Sequence, residues 1–480
     1  MEATRRQPST GWTWLAALVA VFMVAIDTLV VTTALPVIRS GLKTGLEGVE
    51  WTVNGYTLTF AVFLLTGAAL GDRYGRRKVF VIALTIFTLA SAGAALSGDI
   101  GSLVTARVIQ GLGAAAVLPL TLTLLASVVP AAKRGHAFGL WGAMVGLGIA
   151  LGPVIGGSIT QSLSWQWIFW VNVPIGLILL PLTLLVRESR GGAGRLDPVG
   201  TVLVTAGLFG VVFALVRGNS KGWGSAQVLT GLIGGAVLVL LFVLWESRAR
   251  TPMVPLTLFR SRGFSLTAVA TVIMPFGVFG SVFLGAQYLQ NIMGYSPLQA
   301  GVRTLPWTAM PMIAAPISGR LVDKIGGKPM LIVGFLLQAV GIFWISRVLS
   351  THLAYSKLVI PFIITGIGLG VFLPAIAGMA IGFAPRQLEG VASGTSNAMR
   401  QMGTVLGVSV AGAIFASYGG YRTPQSFVDG MITAHVVNAA ALAFGLLIAL
   451  VVPNFVPHHE SAHAEPEASP EPTPVAGSLS

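Results

Sequence analysis

The sequence predicts an all-α integral membrane protein. Fourteen transmembrane helices are expected, arranged as two six-helix bundles related by a parallel repeat, with two extra helices between them. Three observations carry this. Hydrophobic residues make up 54% of the 480 and charged residues only 9%, with a mean hydropathy of +0.83, whereas a water-soluble surface needs roughly 25–35% charged residues. The apolar residues gather in windows near the ~20 residues that cross a ~30 Å hydrocarbon layer. The chain also repeats itself at long range. The 60 Gly and 26 Pro belong largely to these windows, where neighbouring helices satisfy the backbone groups they free.

In chain order the windows lie at about 12–36, 49–71, 78–98, 103–129, 136–160, 166–186, 198–217, 226–246, 264–289, 298–319, 329–348, 357–383, 396–417 and 434–455. The first follows Arg5 and Arg6 and is too long for a signal-peptide core, so it is expected to remain in the mature protein. With the N-terminus inside, 20 of the 29 Lys and Arg fall in inside segments. Seven fall outside (Arg39, Lys43, Arg217, Lys221, Arg347, Lys357 and Arg422), and Arg107 and Arg303 fall within spans. That bias predicts both termini in the cytoplasm. It also accounts for the net charge of +13 without a nucleic-acid partner. The Pro- and Glu-rich stretch 458–480 is expected to be a disordered cytoplasmic tail.

The repeat sets the domain limits. Shifted by 251, Leu70–Arg77 lies over Leu321–Lys328. Shifted by 255, Gly111, Gly113 and Pro119 meet Gly366, Gly368 and Pro374, and Gly148, Gly152 and Gly157 meet Gly403, Gly407 and Gly412. The expected bodies are an N-terminal half, 1–190, two inserted helices, 191–255, and a C-terminal half, 256–457. The repeat breaks at charged positions. Arg107 is matched by Phe362, Gln110 by Thr365, and Asp27 has no acidic counterpart between Phe264 and Arg320.

Asp27 reads as the only acid deep in a span, about eight residues before Leu35 and so roughly 12 Å from the outer end at 1.5 Å per residue. A charge at that depth costs at least ~2.5–3.5 kcal/mol, so it must face a cavity, find a partner or take a proton. Arg107 is the natural partner, with Gln110 one turn below extending the polar network. The alternatives are a fixed ion pair for Asp27, a carbonyl-capping Arg107 and a packing hydrogen bond for Gln110. Gly148, Gly152 and Gly156 recur every four residues, a stripe that allows close helix approach, beside Pro153 and Gly157. Arg303 is expected to snorkel at the outer interface, and Trp141, Trp307 and Trp344 to sit in the interfacial belt.

Ala68-Ala-Leu-Gly-Asp72-Arg73-Tyr-Gly75-Arg76-Arg77 resembles the second-to-third-span loop signature of the major facilitator superfamily. Gly148-Ile-Ala-Leu-Gly152-Pro153-Val-Ile-Gly156-Gly157 resembles its antiporter signature. Asp27 to Pro36 and Trp165 to Gly176 resemble its fourteen-span drug/proton antiporter branch. Ala68 replaces the usual first Gly, Thr32 stands where the branch usually has Asn, and the second loop copy has Lys324 and Lys328 in place of a double Arg. The resemblance implies a proton-coupled exporter of amphipathic drugs or antibiotics, with Asp27 as proton carrier beside Arg107. It also implies a cytoplasmic gate at Asp72, Arg73, Gly75, Arg76 and Arg77, echoed by Asp323 and Lys324. Thr32, Asn397, Arg400 and Gln401 are candidate substrate-cavity residues, with inner-interface anchoring the alternative for Arg400.

Other classes fit less well. An enzyme would need a deep polar cluster, and the six His stand at 136, 352, 435, 458, 459 and 463, in loops, at span ends or in the tail. No P-loop is present, so ATP hydrolysis is not expected to drive the protein. With zero Cys there is no disulfide or thiolate metal site. The expectation is a cofactor-free, metal-free monomer in a bacterial cytoplasmic membrane, its partners a small amphipathic substrate, protons and the bilayer. A dedicated exporter of one metabolite or self-made antibiotic is the alternative.

Overall fold

A computed structural model of the chain describes residues 10–129, 134–190, 197–250, 252–385 and 388–455. The expected tail, 458–480, lies outside the described residues. The first seven helices are α1 (Thr10–Gly41), α2 (Leu46–Tyr74), α3 (Arg76–Ala95), α4 (Ile100–Val128), α5 (Arg134–Ser162), α6 (Trp167–Trp170) and α7 (Asn172–Leu184). A pair follows, α8 (Pro198–Lys221) and α9 (Ala226–Arg248). The last eight are α10 (Arg262–Asn291), α11 (Pro297–Arg303), α12 (Leu305–Thr308), α13 (Met310–Ile325), α14 (Gly327–Val348), α15 (Ser356–Gly382), α16 (Glu389–Tyr418) and α17 (Pro424–Val451). Among the described residues there is no strand.

Among the described residues thirteen helices are long and apolar enough to cross a membrane, α6 and α7 together forming one of them. The tenth expected window, 298–319, is instead broken into α11, α12 and α13. Pro306 and Pro311 lack the N–H that an unbroken helix would use there, and their rings crowd the preceding turn. Helix starts elsewhere are set by short polar caps that take an orphan N–H. Asp99 Oδ1 accepts from Ser102 N at 3.0 Å, which holds its exposed carboxyl below the usual range. Asp197, Ser225, Ser261 and Thr423 cap α8, α9, α10 and α17, and Ser296 forms a capping box with Gln299.

The tight links α2–α3 and α13–α14 turn on Gly75 (φ 111°) and Gly326 (φ 89°), conformations that a side chain opposes. A Cβ on Gly75 would also lie 2.9 Å from Glu188. Gly75→Ala is therefore expected to lower stability by about 1–3 kcal/mol, read as a fall in the thermal unfolding temperature of the purified protein.

Helices α1–α7 pack as one bundle, with α4 between α2 and α3 and with α5 along α1. Helices α10–α17 pack likewise, with α15 between α13 and α14 and with α16 along α10. The inserted helices α8 and α9 pack on each other. Trp245 Nε1 of α9 donates to Asp197 at the start of α8 at 2.9 Å, and α8 also meets α2 and α16. The bundles touch mainly through α5 on α11 and α2 on α16.

Candidate functional site

Asp27 is the centre of a closed polar network. It is the eighteenth residue of the 32-residue α1, because that helix continues through Pro36 to Gly41. It therefore lies 14 residues from the helix end, roughly 21 Å at 1.5 Å per residue, deeper than the sequence suggested. Its side chain is fully buried, and Arg107 is 1% exposed. Arg107 Nη1 donates to Asp27 Oδ2 at 2.6 Å and to Gln110 Oε1 at 2.6 Å. Gln110 Nε2 donates to Asp27 Oδ1 at 2.8 Å and to Ser91 Oγ at 2.7 Å. Asn172 Nδ2 donates to Asp27 Oδ1 at 3.0 Å. Arg107 Nε reaches the Thr52 carbonyl at 3.2 Å, and its guanidinium carbon lies 4.1 Å from the centre of the Tyr56 ring.

Five helices of the first bundle supply this cluster: α1 gives Asp27, α2 the Thr52 carbonyl and the Tyr56 ring, α3 Ser91, α4 both Arg107 and Gln110, and α7 Asn172. Sequence reasoning found Asp27, Arg107 and Gln110 but gave no role to Ser91 or Asn172. Asn172 lay inside a quoted motif, so a signal for it existed. Ser91 had none, since a Ser in an apolar helix usually bonds its own backbone. In the second bundle the link from the last helix to the first is uncharged: Asn438 Nδ2 donates to Ser281 Oγ at 3.0 Å.

The glycine stripe lies directly behind Asp27. A Cβ on Gly148 would meet Ala25 Cβ at 2.7 Å, on Gly152 Leu29 Cβ at 2.9 Å, and on Gly156 the Val30 carbonyl at 2.6 Å. The stripe thus sets the spacing of α5 against the helix that carries Asp27. The next residue does something else. A Cβ on Gly157 would collide with the Pro297 carbonyl across the bundle interface, and one on Gly301 with the Pro153 carbonyl. Gly157, Pro153 and Gly301 hold the two bundles backbone to backbone.

The expected gate residues stay within their own bundle. Arg76 Nη2 pairs with Asp72 at 2.8 Å, one turn away. Arg77 bonds Glu188 and the carbonyls of Leu184 and Val186, while Arg73 lies over Tyr74. Asp323 and Lys324 are exposed, and no ion pair joins the bundles at this end among the described residues.

Two small spaces lie between the bundles, of about 50 and 10 Å³. Thr32 lines both, and Arg107, Thr57 and Thr404 line the smaller. They suit water rather than a drug, which needs about 300–1,000 Å³. Asn397 Oδ1 accepts from Arg400 Nη2 at 3.1 Å, and Gln401 is buried. None of those three lines either space. Trp307, expected in the interfacial belt, is 5% exposed and packs on Phe362 with ring centres 5.4 Å apart in the cavity wall. The α12 break turns it inward. Asp27 is also not the only buried acid in a span: Glu50 of α2 is 1% exposed.

Comparison with known proteins decides the family. The model of the major facilitator superfamily matches residues 17–307 and 267–478. The chain belongs to the major facilitator superfamily. It is a multi-pass membrane transporter and not an enzyme. Over 421 residues, 87% of its length and 78% of the relative's, the transporter is 36% identical to the tetracenomycin C resistance and export protein of Streptomyces glaucescens. It is 36% identical over 409 residues to the multidrug resistance protein Stp of Mycobacterium tuberculosis, covering 85% and 76% of the two chains. With the methylenomycin A resistance protein of Bacillus subtilis it shares 32% over 444 residues, 92% and 95% of the two. Its fold matches an inward-open structure of the xylose transporter XylE from E. coli, with a TM-score of 0.65 at 14% identity over 93% and 97% of the chains.

Proposed function

We propose that the transporter exports amphipathic drugs or antibiotics in exchange for protons, by alternating access between the two bundles. The observation that carries this is Asp27, a fully buried carboxylate at mid-helix, held by Arg107 beside a water-sized space between the bundles. The resistance and export roles in the names of its relatives support the direction of transport. In this reading the moving bodies are residues 1–190 and 256–457, with 191–255 inserted, and the α2–α3 end faces the cytoplasm.

The chemistry follows from the network. Ionised Asp27 satisfies Arg107. Protonation removes that charge and leaves a buried cation without its counter-ion, which is unfavourable. The bundles then settle in whichever arrangement gives Arg107 water or another partner. Thr32 and Arg107 both line the small space, so a water there would lie beside the Asp27–Arg107 pair. Substrate entry requires the bundles to part, and in this reading Asn397, Arg400 and Gln401 then meet the substrate.

The test is proton release from acid-loaded everted vesicles as amphipathic antibiotics and dyes are added. Wild type is expected to collapse the pH gradient with some of them, and Asp27→Asn with none. An Asp27→Asn response equal to wild type removes Asp27 from coupling. A panel on which one compound alone acts favours a dedicated exporter, as the single-antibiotic names of two of these relatives do. At the cytoplasmic end Asp72→Asn frees Arg76 from its one carboxylate, and we expect the transport rate in the same vesicles to fall several-fold with a loss of thermal stability no larger than the ~1 kcal/mol of a partly exposed helix pair.

A further inference from the structure

Outside the Asp27 network, the transporter holds a second feature of ligand size. At the end of the molecule carrying the α1–α2 turn, a pocket of about 860 Å³ opens between α2, α4, α8 and α16. That volume lies within the range of small-molecule sites. One wall is aromatic: Trp51 of α2 lies 5.6 Å from Phe209 and 6.4 Å from Phe213 of α8, centre to centre. Val104 and Val108 of α4 form the facing wall.

Glu50 lines this pocket and is 1% exposed, yet it has no hydrogen bond or ion pair among the described residues. The neighbouring charges are engaged elsewhere. Glu47 is paired with Arg217 at 2.7 Å, and Arg39 lies 3.4 Å over the Tyr421 ring. The Glu50 carboxylate occupies the place that a Cβ on Gly412 of α16 would take, so the glycine makes room for it. An unpaired buried carboxylate is unfavourable and calls for a cation or a proton. The space beside it favours a cation, because aromatic faces attract one. An inorganic ion would need about six oxygen ligands. Arg217, paired with Glu47, already lies 4.6 Å over the Phe213 ring; the pocket still offers one free carboxylate and the Trp51 and Phe209 rings, so an organic cation fits.

We propose that this pocket binds a flat, aromatic, monovalent organic cation, with Glu50 as counter-charge and Trp51 and Phe209 as the stacking platform. One of the two rings comes from α8, which gives the inserted helices a part in ligand binding. The proposal does not depend on proton coupling at Asp27.

The test is equilibrium binding to the full-length protein in phosphatidylglycerol nanodiscs, with ethidium as the cationic probe and Nile red as a neutral one. Glu50→Gln is expected to weaken ethidium at least tenfold and to leave Nile red unchanged. Proton release from everted vesicles is read separately from this binding, so failure of the coupling reading and failure of this one are distinguishable. Unchanged ethidium binding in Glu50→Gln, or an equal loss of both probes, overturns the proposal. Should Glu50→Gln not yield folded protein, Phe209→Ala keeps the carboxylate and removes one ring. It must then weaken both probes at least threefold, and unchanged binding overturns the proposal. Displacement of ethidium by added phosphatidylethanolamine would reassign the pocket to a lipid headgroup and overturn it as well.

Discussion

Arg107→Gln is expected to abolish transport and to destabilise the protein by about 3–5 kcal/mol, the typical result of leaving one partner of a buried ion pair behind. The geometry shows why no single replacement suffices. One nitrogen of Arg107 serves both Asp27 and Gln110, a second serves the Thr52 carbonyl, and the guanidinium face covers Tyr56. Lysine has no planar fork, so Arg107→Lys keeps the charge and loses most of these contacts. The measurement is a double-mutant cycle on thermal unfolding. Adding Asp27→Asn to Arg107→Gln is expected to recover most of the lost stability, because it removes the uncompensated charge, while proton exchange stays absent. If the double variant is no more stable than Arg107→Gln, the two side chains are not energetically coupled.

The second large effect is expected at the backbone contact between the bundles. Gly157→Leu places a side chain where the Pro297 carbonyl sits, and neither backbone is a flexible group that can swing away. Overpacking of this kind costs typically 1–3 kcal/mol, and here that strain falls on one conformation, the one with α5 against α11. The population should shift toward bundles parted at that end, with the transport rate falling at least tenfold. With zero Cys in the chain, a single introduced thiol can be followed without background. Thr33 lines the space between the bundles and is 2% exposed. Thr33→Cys is expected to react slowly with an impermeant maleimide in the otherwise wild-type protein and much faster with Gly157→Leu added. Equal rates would mean that the contact does not close that end.

These effects were legible in the sequence to different degrees. Asp27, Arg107 and Gln110 stand out because charge and amide groups are rare in apolar windows, and helix depth alone brings two of them near each other. The glycines announce themselves by their spacing of four. Their division of labour does not show: Gly148, Gly152 and Gly156 space α5 from α1, whereas Gly157 meets the other bundle, a distinction that only the packing of α11 creates. Glu50 escaped because it lies in the second turn of α2, where an acid ordinarily faces the interface. Its burial comes from α8 and α16, which are distant in the chain. The broken tenth span escaped as well, since proline is tolerated in membrane helices and the window stayed apolar throughout.

That break bears on how the bundles separate. An intact helix is a stiff rod, and pulling on one end loads every contact along it at once. The tenth span is jointed at Thr304 and Ala309, with four residues between them, so bending concentrates in two peptide units. The short α11 can stay seated on Pro153 through Gly301 while α13 swings from the far side. Opening then proceeds by peeling rather than shear, contact by contact from the α2–α3 end, and the largest force any one contact must yield to is small.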